Sequence, residues 1–287
     1  MLHNSLTNYS KTLSCNGKTL WLQKPVVMGI LNITPDSFYE NSRVGDDKEY
    51  LSVAEKMIQD GAAIIDIGGQ STRPNAELIL VDDELKRVLP VVKNIRKQFP
   101  EIIISVDTFY SKVAQATIDC GANMINDISG GSMDADMFKT IANTKAAYVL
   151  MHSRGTPQTM QSFTTYDNLV DDILHYFHQK INELKQLDFE NIIIDLGFGF
   201  AKTTEQNFEL LKCMKEFEVL NKPILAGLSR KSMIYKTLQT TADKALNGTT
   251  VLNTIALQNG ANILRVHDVK ETVETIMLWE KVNVIDI

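Results

Sequence analysis

At 287 residues the chain suits one large domain or two small ones, and its 44% hydrophobic and 22% charged residues, with only 7 prolines and 15 glycines, exclude long disorder and collagen-like repetition. A net charge of −6 speaks against a nucleic-acid binder with a broad basic face, though a few clustered cations can still hold a small anionic ligand. The 3 cysteines, Cys15, Cys120 and Cys213, form no CxxC; Met1 to Ser10 is polar and no apolar run approaches the roughly 20 residues of a membrane span, so a cytoplasmic protein without disulfides or membrane contact is expected.

In chain order, the first signal is an Asn16-Gly17 turn between two short apolar stretches, the pattern of a β-hairpin. Eight β-branched runs follow, at 26–32, 62–68, 102–107, 123–128, 146–152, 191–197, 223–229 and 261–267. Each is nearly continuous in apolar residues, as suits parallel strands buried on both faces. Between them lie stretches of helical period, with apolar faces such as Leu51, Ala54, Met57 and Ile58, or Leu169, Ile173, Phe177, Ile181 and Leu184. Gly61, Pro100, Gly121, Pro223 and Gly260 punctuate the returns to strand. Eight strands and eight helices in strict alternation, over about 245 residues, predict an α/β fold: a single-domain (β/α)8 TIM barrel. A doubly wound sheet would want a glycine-rich turn after its first strand, and here that strand runs into Asn32-Ile33-Thr34-Pro35-Asp36. The expected division is a hairpin extension over 1–24, capping the barrel bottom, and the barrel over 25–287.

The strand ends carry polar groups: Asn32, Asp66, Asp107, Asn126, His152, Asp195, Ser229, and Arg265 with His267. Singly each has a plain explanation, a helix cap for Asp107 or a satisfied structural histidine for His152. Together they are expected to converge on the C-terminal face, where active sites of this fold sit. Neither HExxH nor GxSxG is present, so the mouth is expected to bind and orient rather than attack covalently. Two βα loops, 34–46 and 70–81, exceed the usual length and are lid candidates. The run Gly197-Phe198-Gly199-Phe200-Ala201-Lys202 fits no nucleotide motif and is expected to be a tight turn offering Phe200 and Lys202 to the mouth.

These motifs resemble, in order, those of the dihydropteroate synthase family of pterin-binding barrels. The first is Met28-Gly29-Ile30-Leu31-Asn32-Ile33-Thr34-Pro35-Asp36-Ser37-Phe38, the second Asp66-Ile67-Gly68-Gly69-Gln70-Ser71-Thr72-Arg73-Pro74. Ser105-Val106-Asp107-Thr108, Ile125-Asn126-Asp127-Ile128, Met151-His152, the 197–200 turn, Leu228-Ser229-Arg230-Lys231-Ser232 and Arg265-Val266-His267-Asp268 follow. The resemblance implies condensation of 6-hydroxymethyl-7,8-dihydropterin pyrophosphate with p-aminobenzoate, assisted by Mg²⁺, in a homodimer. It implies pterin contacts from Asp107, Asn126, Asp195, Lys231, Arg265, Met151, Phe200 and Gly227. It implies pyrophosphate contacts from Asn32, Thr72, Arg265 and His267, with Asn32 near the metal. Ser232, Arg73, Pro74 and Phe38 would form the p-aminobenzoate subsite, and Asp36, Glu40, Thr72, Arg73 and Lys231 would carry the chemistry.

Glu40-Asn41-Ser42 stands where the family usually has an aspartate followed by glycines; Gln70, Asn75 and Leu196 also depart from common residues. One rival is a methyltetrahydrofolate–corrinoid methyltransferase barrel, which could share Asp107, Asn126 and Asp195 but has no use for Ser71-Thr72-Arg73-Pro74. Another is a non-catalytic pterin-binding homologue, which would be expected to lose Thr72, Arg73 and Lys231 first. The homodimer that the resemblance implies could draw apolar surface from the last helices, through Leu257, Ile276, Met277 and Trp279, although taken alone those residues read as buried core.

Overall fold

A computed structural model describes residues 12–33, 46–70 and 78–283. It begins with an antiparallel ribbon, β1 (Thr12–Cys15) and β2 (Lys18–Trp21). Asn16 and Gly17 at its tip have φ of 45° and 84°, the left-handed geometry a two-residue hairpin turn requires. Eight parallel strands then close into a barrel: β3 (Val26–Asn32), β4 (Ile64–Gly68), β5 (Ile103–Asp107), β6 (Met124–Asp127), β7 (Ala147–Met151), β8 (Ile192–Asp195), β9 (Ile224–Ala226) and β10 (Ile263–Val266). β10 pairs with β3 to complete the ring.

The helices are α1 (Asp46–Gln59), α2 (Val81–Gln98), α3 (Ser111–Asp119), α4 (Met137–Ala142), α5 (Leu169–Lys185), α6 (Thr204–Lys212), α7 (Ser232–Thr237), α8 (Leu246–Gln258) and α9 (Val269–Asn283). Among the described residues strict alternation of strand and α-helix therefore holds except after β9, where two helices, α7 and α8, intervene before β10. α5 shows why these segments are helical. Asn168 caps it by accepting from the Val170 and Asp171 amides, and Leu169, Ile173, Phe177, Ile181 and Leu184 bury one stripe. Phe177 is fully buried, a contribution of about 2–3 kcal/mol from removing its ring from water.

Successive strand residues face opposite ways, and registered partners share a face. Val27, Leu31, Ile65, Ile67, Ile104, Val106, Ile125, Leu150, Ile194 and Val266 point outward into the layer beneath the helices. Met28, Ile64, Ile103, Met124, Ala147, Ile193, Leu225 and Ile263 point inward and form the floor of the barrel, against which Leu13, Cys15, Leu20 and Leu22 of the ribbon pack. The Asn16 amide donates to the Lys145 carbonyl at 2.8 Å and its side chain to the Ala122 carbonyl at 2.9 Å, both just before a strand begins. The ribbon thus plugs the N-terminal end of the barrel, as expected, and leaves the other end open.

Candidate active site

Above the apolar floor the same inward face turns polar. Asp66 lies beside Ser105, Asp107 beside Asn126, and Met151 beside Asp195 in the strand register. Arg265, from β10, ties this layer together. Its Nε donates to Asp66 Oδ2 at 2.7 Å and its Nη2 to Asp107 Oδ2 at 2.7 Å. Asn126 Nδ2 donates to the same Asp66 oxygen at 3.1 Å, and Asn126 Oδ1 is left buried with no hydrogen bond from any described residue.

Burial opposes the guanidinium charge of Arg265, but Asp66 and Asp107 beside it outweigh that and raise its pKa. Burial pushes the Asp107 carboxyl up to about 7 despite the pull of Arg265. Asp195, whose Oδ1 accepts from the Gly197 amide at 2.8 Å, is also raised by burial, with Lys231 opposing. Lys231 is lowered to about 8 by burial, with Asp195 opposing.

Lys231 occupies the capping position before α7. It gets there because Arg230 takes a left-handed φ of 55° and turns outward, its guanidinium bound to Asp268 at 2.6 and 2.9 Å and to the Ala242 and Asp243 carbonyls. The Lys231 ammonium donates to the Phe198 carbonyl and lies 5.1 Å from the centre of the Phe200 ring. Gly227 lies beside both cations: a β-carbon there would stand 3.6 Å from Lys231 Nζ and 4.0 Å from Arg265 Cβ, ordinary contact distances. Met151, Phe109 and Ile128 form a buried apolar patch with Phe200 packed against it. Asn32 ends β3 exposed, beside Gly68, which separates it from Asp107 in the register, and Ser232 begins α7 partly exposed. His267 is at the rim, its Nδ1 3.1 Å from Ser229 Oγ.

Two expectations are corrected. His152 does not face the mouth. It has the outward parity, is buried against Tyr166, Tyr176 and Phe177, and its Nδ1 meets Lys202 Nζ at 3.0 Å. Lys202 is not offered to the mouth either: it is 3% exposed and folds beneath the 197–200 turn. Asp66, recognised as a strand-end residue but given no role in the site, is the shared acceptor that orients both Arg265 and Asn126. Its step of two from Ile64 and Gly68 along β4 is the signal that puts it on the inward face. Asp36, Phe38, Glu40, Thr72, Arg73 and Pro74 lie outside the described residues. Among the described residues no group of three or more His, Cys, Asp or Glu is arranged to hold a metal ion.

A cup of buried acceptors facing two cations, walled on one side by apolar groups, makes this a barrel with a ligand-binding site at its C-terminal end. Residues 28–267 match the family of pterin binding enzymes, and the chain belongs to that family. It is 42% identical to the dihydropteroate synthase of Escherichia coli (strain K12) over 270 residues, which are 93% of this chain and 95% of that one. It is 41% identical to the dihydropteroate synthase of Haemophilus influenzae, over 93% of this chain and 98% of that one. Among solved structures, the Yersinia pestis dihydropteroate synthase in complex with a sulfonamide drug superposes with a TM-score of 0.89 at 38% identity, covering 95% of this chain and 99% of that one. The Xanthomonas albilineans enzyme with 4-aminobenzoic acid gives 0.89 at 34% identity, covering 96% and 99%.

Proposed function

We propose that the chain catalyses the dihydropteroate synthase reaction, joining 6-hydroxymethyl-7,8-dihydropterin pyrophosphate to p-aminobenzoate with release of pyrophosphate. The relatives of this name, matched over nearly the whole chain, support the reaction. The observation that supports its place in the fold is the acceptor row of Asp107, the unpartnered Asn126 Oδ1 and Asp195, which complements the guanidine-like N–H edge of a pterin. Lys231 donates toward the ring's acceptors, the patch of Met151 and Phe200 covers one face of the ring, and Arg265 reaches from the carboxylates toward the pyrophosphate.

The C–O bond to pyrophosphate breaks first and the electron pair leaves with the phosphate oxygen. The exocyclic carbon is then a cation delocalised into the pterin, which the amine of p-aminobenzoate attacks; the C–N bond forms and the amine gives up a proton. The protein's part is orientation and stabilisation of the departing charge by Arg265 and His267 at the rim. Ser232, with Arg73, Pro74 and Phe38, is assigned to the p-aminobenzoate side, and Thr72, Asp36 and Glu40 to the chemistry around the cation.

Mg²⁺ fits the residues present. Asn32 offers an exposed amide oxygen that bonds to no described residue, and Mg²⁺ typically keeps its waters and takes one or two protein oxygens plus substrate phosphates. When bound it supplies positive charge to the leaving pyrophosphate. A second copy of the chain is assigned to a groove of about 630 Å³ between α8 and α9, lined in part by Leu246, Thr250, Leu278, Trp279 and Val282. Leu278 is exposed there; Met277 is exposed but does not line the groove, and Leu257 and Ile276 are buried in the protomer's own core. Free Cys15, Cys120 and Cys213 agree with a reducing cytoplasm, and no helix among the described residues is long and apolar enough to cross a membrane.

The reaction is tested by incubating the protein with the pterin pyrophosphate, Mg²⁺ and p-aminobenzoate while following pyrophosphate and dihydropteroate together. Equimolar formation of both is expected. Pterin binding without either product would favour a non-catalytic homologue instead. Sedimentation of the wild type and Leu278→Lys checks the dimer: the substitution should yield monomers.

A further inference from the structure

The turn at 197–200 is held from two sides by ammonium groups, and only one of them belongs to the cup. Gly197, Gly199 and Ala201 have φ of 68°, 83° and 49°, and this run of left-handed residues brings the chain back on itself so that Lys202 lies under the turn it follows. A β-carbon at Gly197 would overlap the His152 carbonyl, so the turn sits directly on the end of β7. Lys202 has three N–H donors and finds three acceptors: the Gly197 carbonyl at 3.0 Å, the Phe200 carbonyl at 3.1 Å and His152 Nδ1 at 3.0 Å. Burial keeps His152 well below its ordinary pKa, with Lys202 and Arg154 adding to the effect, so a neutral imidazole accepts.

On the mouth side, Phe198, between the two carbonyl-bearing ends of the turn, supplies the carbonyl that seats Lys231. Gly199 and the Phe200 ring flank the Lys231 stem and head. Asp195 binds the first amide of the turn and attracts both lysines. The outer side is pinned independently, by Tyr166 Oη to the Ala201 carbonyl at 2.9 Å and by the Gly199 amide to Asn207 Oδ1 at 2.6 Å.

We infer that Lys202 is a positioning residue for the pterin site, acting through the 197–200 turn on the seat of Lys231. The inference rests on the pterin reading above and adds to it a residue that touches no substrate. An ammonium at 3% exposure is expensive to bury, which lowers Lys202 to about 7; three well-placed acceptors offset that cost, and all three belong to the turn or the strand end beneath it. Without the ammonium, the Gly197 and Phe200 carbonyls and His152 Nδ1 lose a partner at the same moment, and the carbonyl between them loses its fixed direction.

The test uses the full chain, 6-hydroxymethylpterin as the binding probe in calorimetry, and steady-state kinetics with both substrates. Lys202→Met keeps the aliphatic stem and removes the donors; pterin affinity should fall about tenfold or more, with a matching rise in KM for the pterin substrate and no change in KM for p-aminobenzoate. Lys202→Gln, which retains two N–H donors, should recover part of the loss, and it carries the same comparison should Lys202→Met fold poorly. In a Lys231→Met background the Lys202 substitution should add little, because the group it positions is gone. Unchanged pterin affinity in both Lys202 variants, or full additivity with Lys231→Met, overturns the inference while leaving the pterin reading intact. A wild-type protein that fails to bind the probe overturns the pterin reading and this inference with it.

Discussion

The floor and the mouth of this barrel are made by the same strands and the same alternation, yet they are opposite materials. At the floor, Met28, Ile64, Ile103 and Met124 meet the underside ribbon in a layer of apolar side chains. One step up the same inward face, Asp66, Asp107, Asn126, Asp195 and Arg265 gather in a buried polar layer whose charges are only partly matched. The floor gains free energy by excluding water. The mouth costs free energy to assemble: burial lifts the Asp107 and Asp195 carboxyls and lowers the Lys231 ammonium. A fold that keeps such a layer does so because a ligand completes it, and the division of labour between ends is what mutations should expose.

The sharpest break is expected at Arg265. Arg265→Met leaves Asp66 and Asp107 facing each other without their shared cation, and should cut turnover by about 100- to 1,000-fold, measured as pyrophosphate release, because the same group faces the leaving charge. At the floor, Leu20→Ala should lower unfolding stability by about 2–5 kcal/mol, read in urea, while KM for both substrates stays at the wild-type value. The reverse pattern at either residue would dissolve the distinction between the two ends.

Acidity sharpens it further. Asp107, at about 7 when the cup is empty, must be ionised to accept the pterin's N–H groups, so affinity should rise as pH increases through about 7. Lys231, lowered to about 8, loses its proton above that, so affinity should fall again. A narrow bell in pterin affinity, read by calorimetry from pH 6 to 9, is the expected outcome, with its two limbs belonging to the coupled cluster. Stability runs the other way on the acid limb. A carboxyl raised in the folded state holds a proton that the unfolded chain has released, so folding weakens as pH climbs from the ordinary value of 3.8 toward 7. Asp107→Asn should therefore melt higher than wild type at pH 8 and bind pterin less well.

Closure of the barrel was legible because its strands are continuous apolar runs punctuated by glycine or proline, a pattern that only strands buried on both faces sustain. The split of the region after β9 into two helices was not, since the helix that begins at Ser232 ends at Thr237, too short to show an apolar stripe of its own. At the site, residue type alone could not separate Asp107 from His152. Both end a strand in a polar group, and only the facing, counted in twos from the floor residues, sends one to the mouth and the other under the helices. Lys202 escaped for a different reason: its direction is set by the left-handed φ of Ala201, which a residue other than glycine rarely advertises. Asp66 was visible as a strand end, but its role depends on Arg265, 199 positions away.

The smallest expected effect isolates facing from chemistry. Asp127 is the neighbour of Asn126, as buried as Asp107 and likewise raised by burial, yet it points outward. Its Oδ2 accepts from Tyr148 Oη at 2.7 Å and from the Gly131 amide at 2.9 Å, and its Oδ1 from the Ser129 amide at 2.7 Å. Asp127→Asn turns one of those acceptors into a donor. With the NH2 at the Oδ2 position the Tyr148 hydroxyl can rotate to accept from it, but the Gly131 amide loses its acceptor, so about 1–3 kcal/mol of unfolding stability should be lost. KM for the pterin substrate should not move, because no atom of Asp127 faces the cup. Were Asp127→Asn to raise that KM as much as Asp107→Asn, burial and charge near the strand ends would be enough to make a pterin ligand. The inward parity of β4, β5, β6, β8 and β10 would then not be what selects the site.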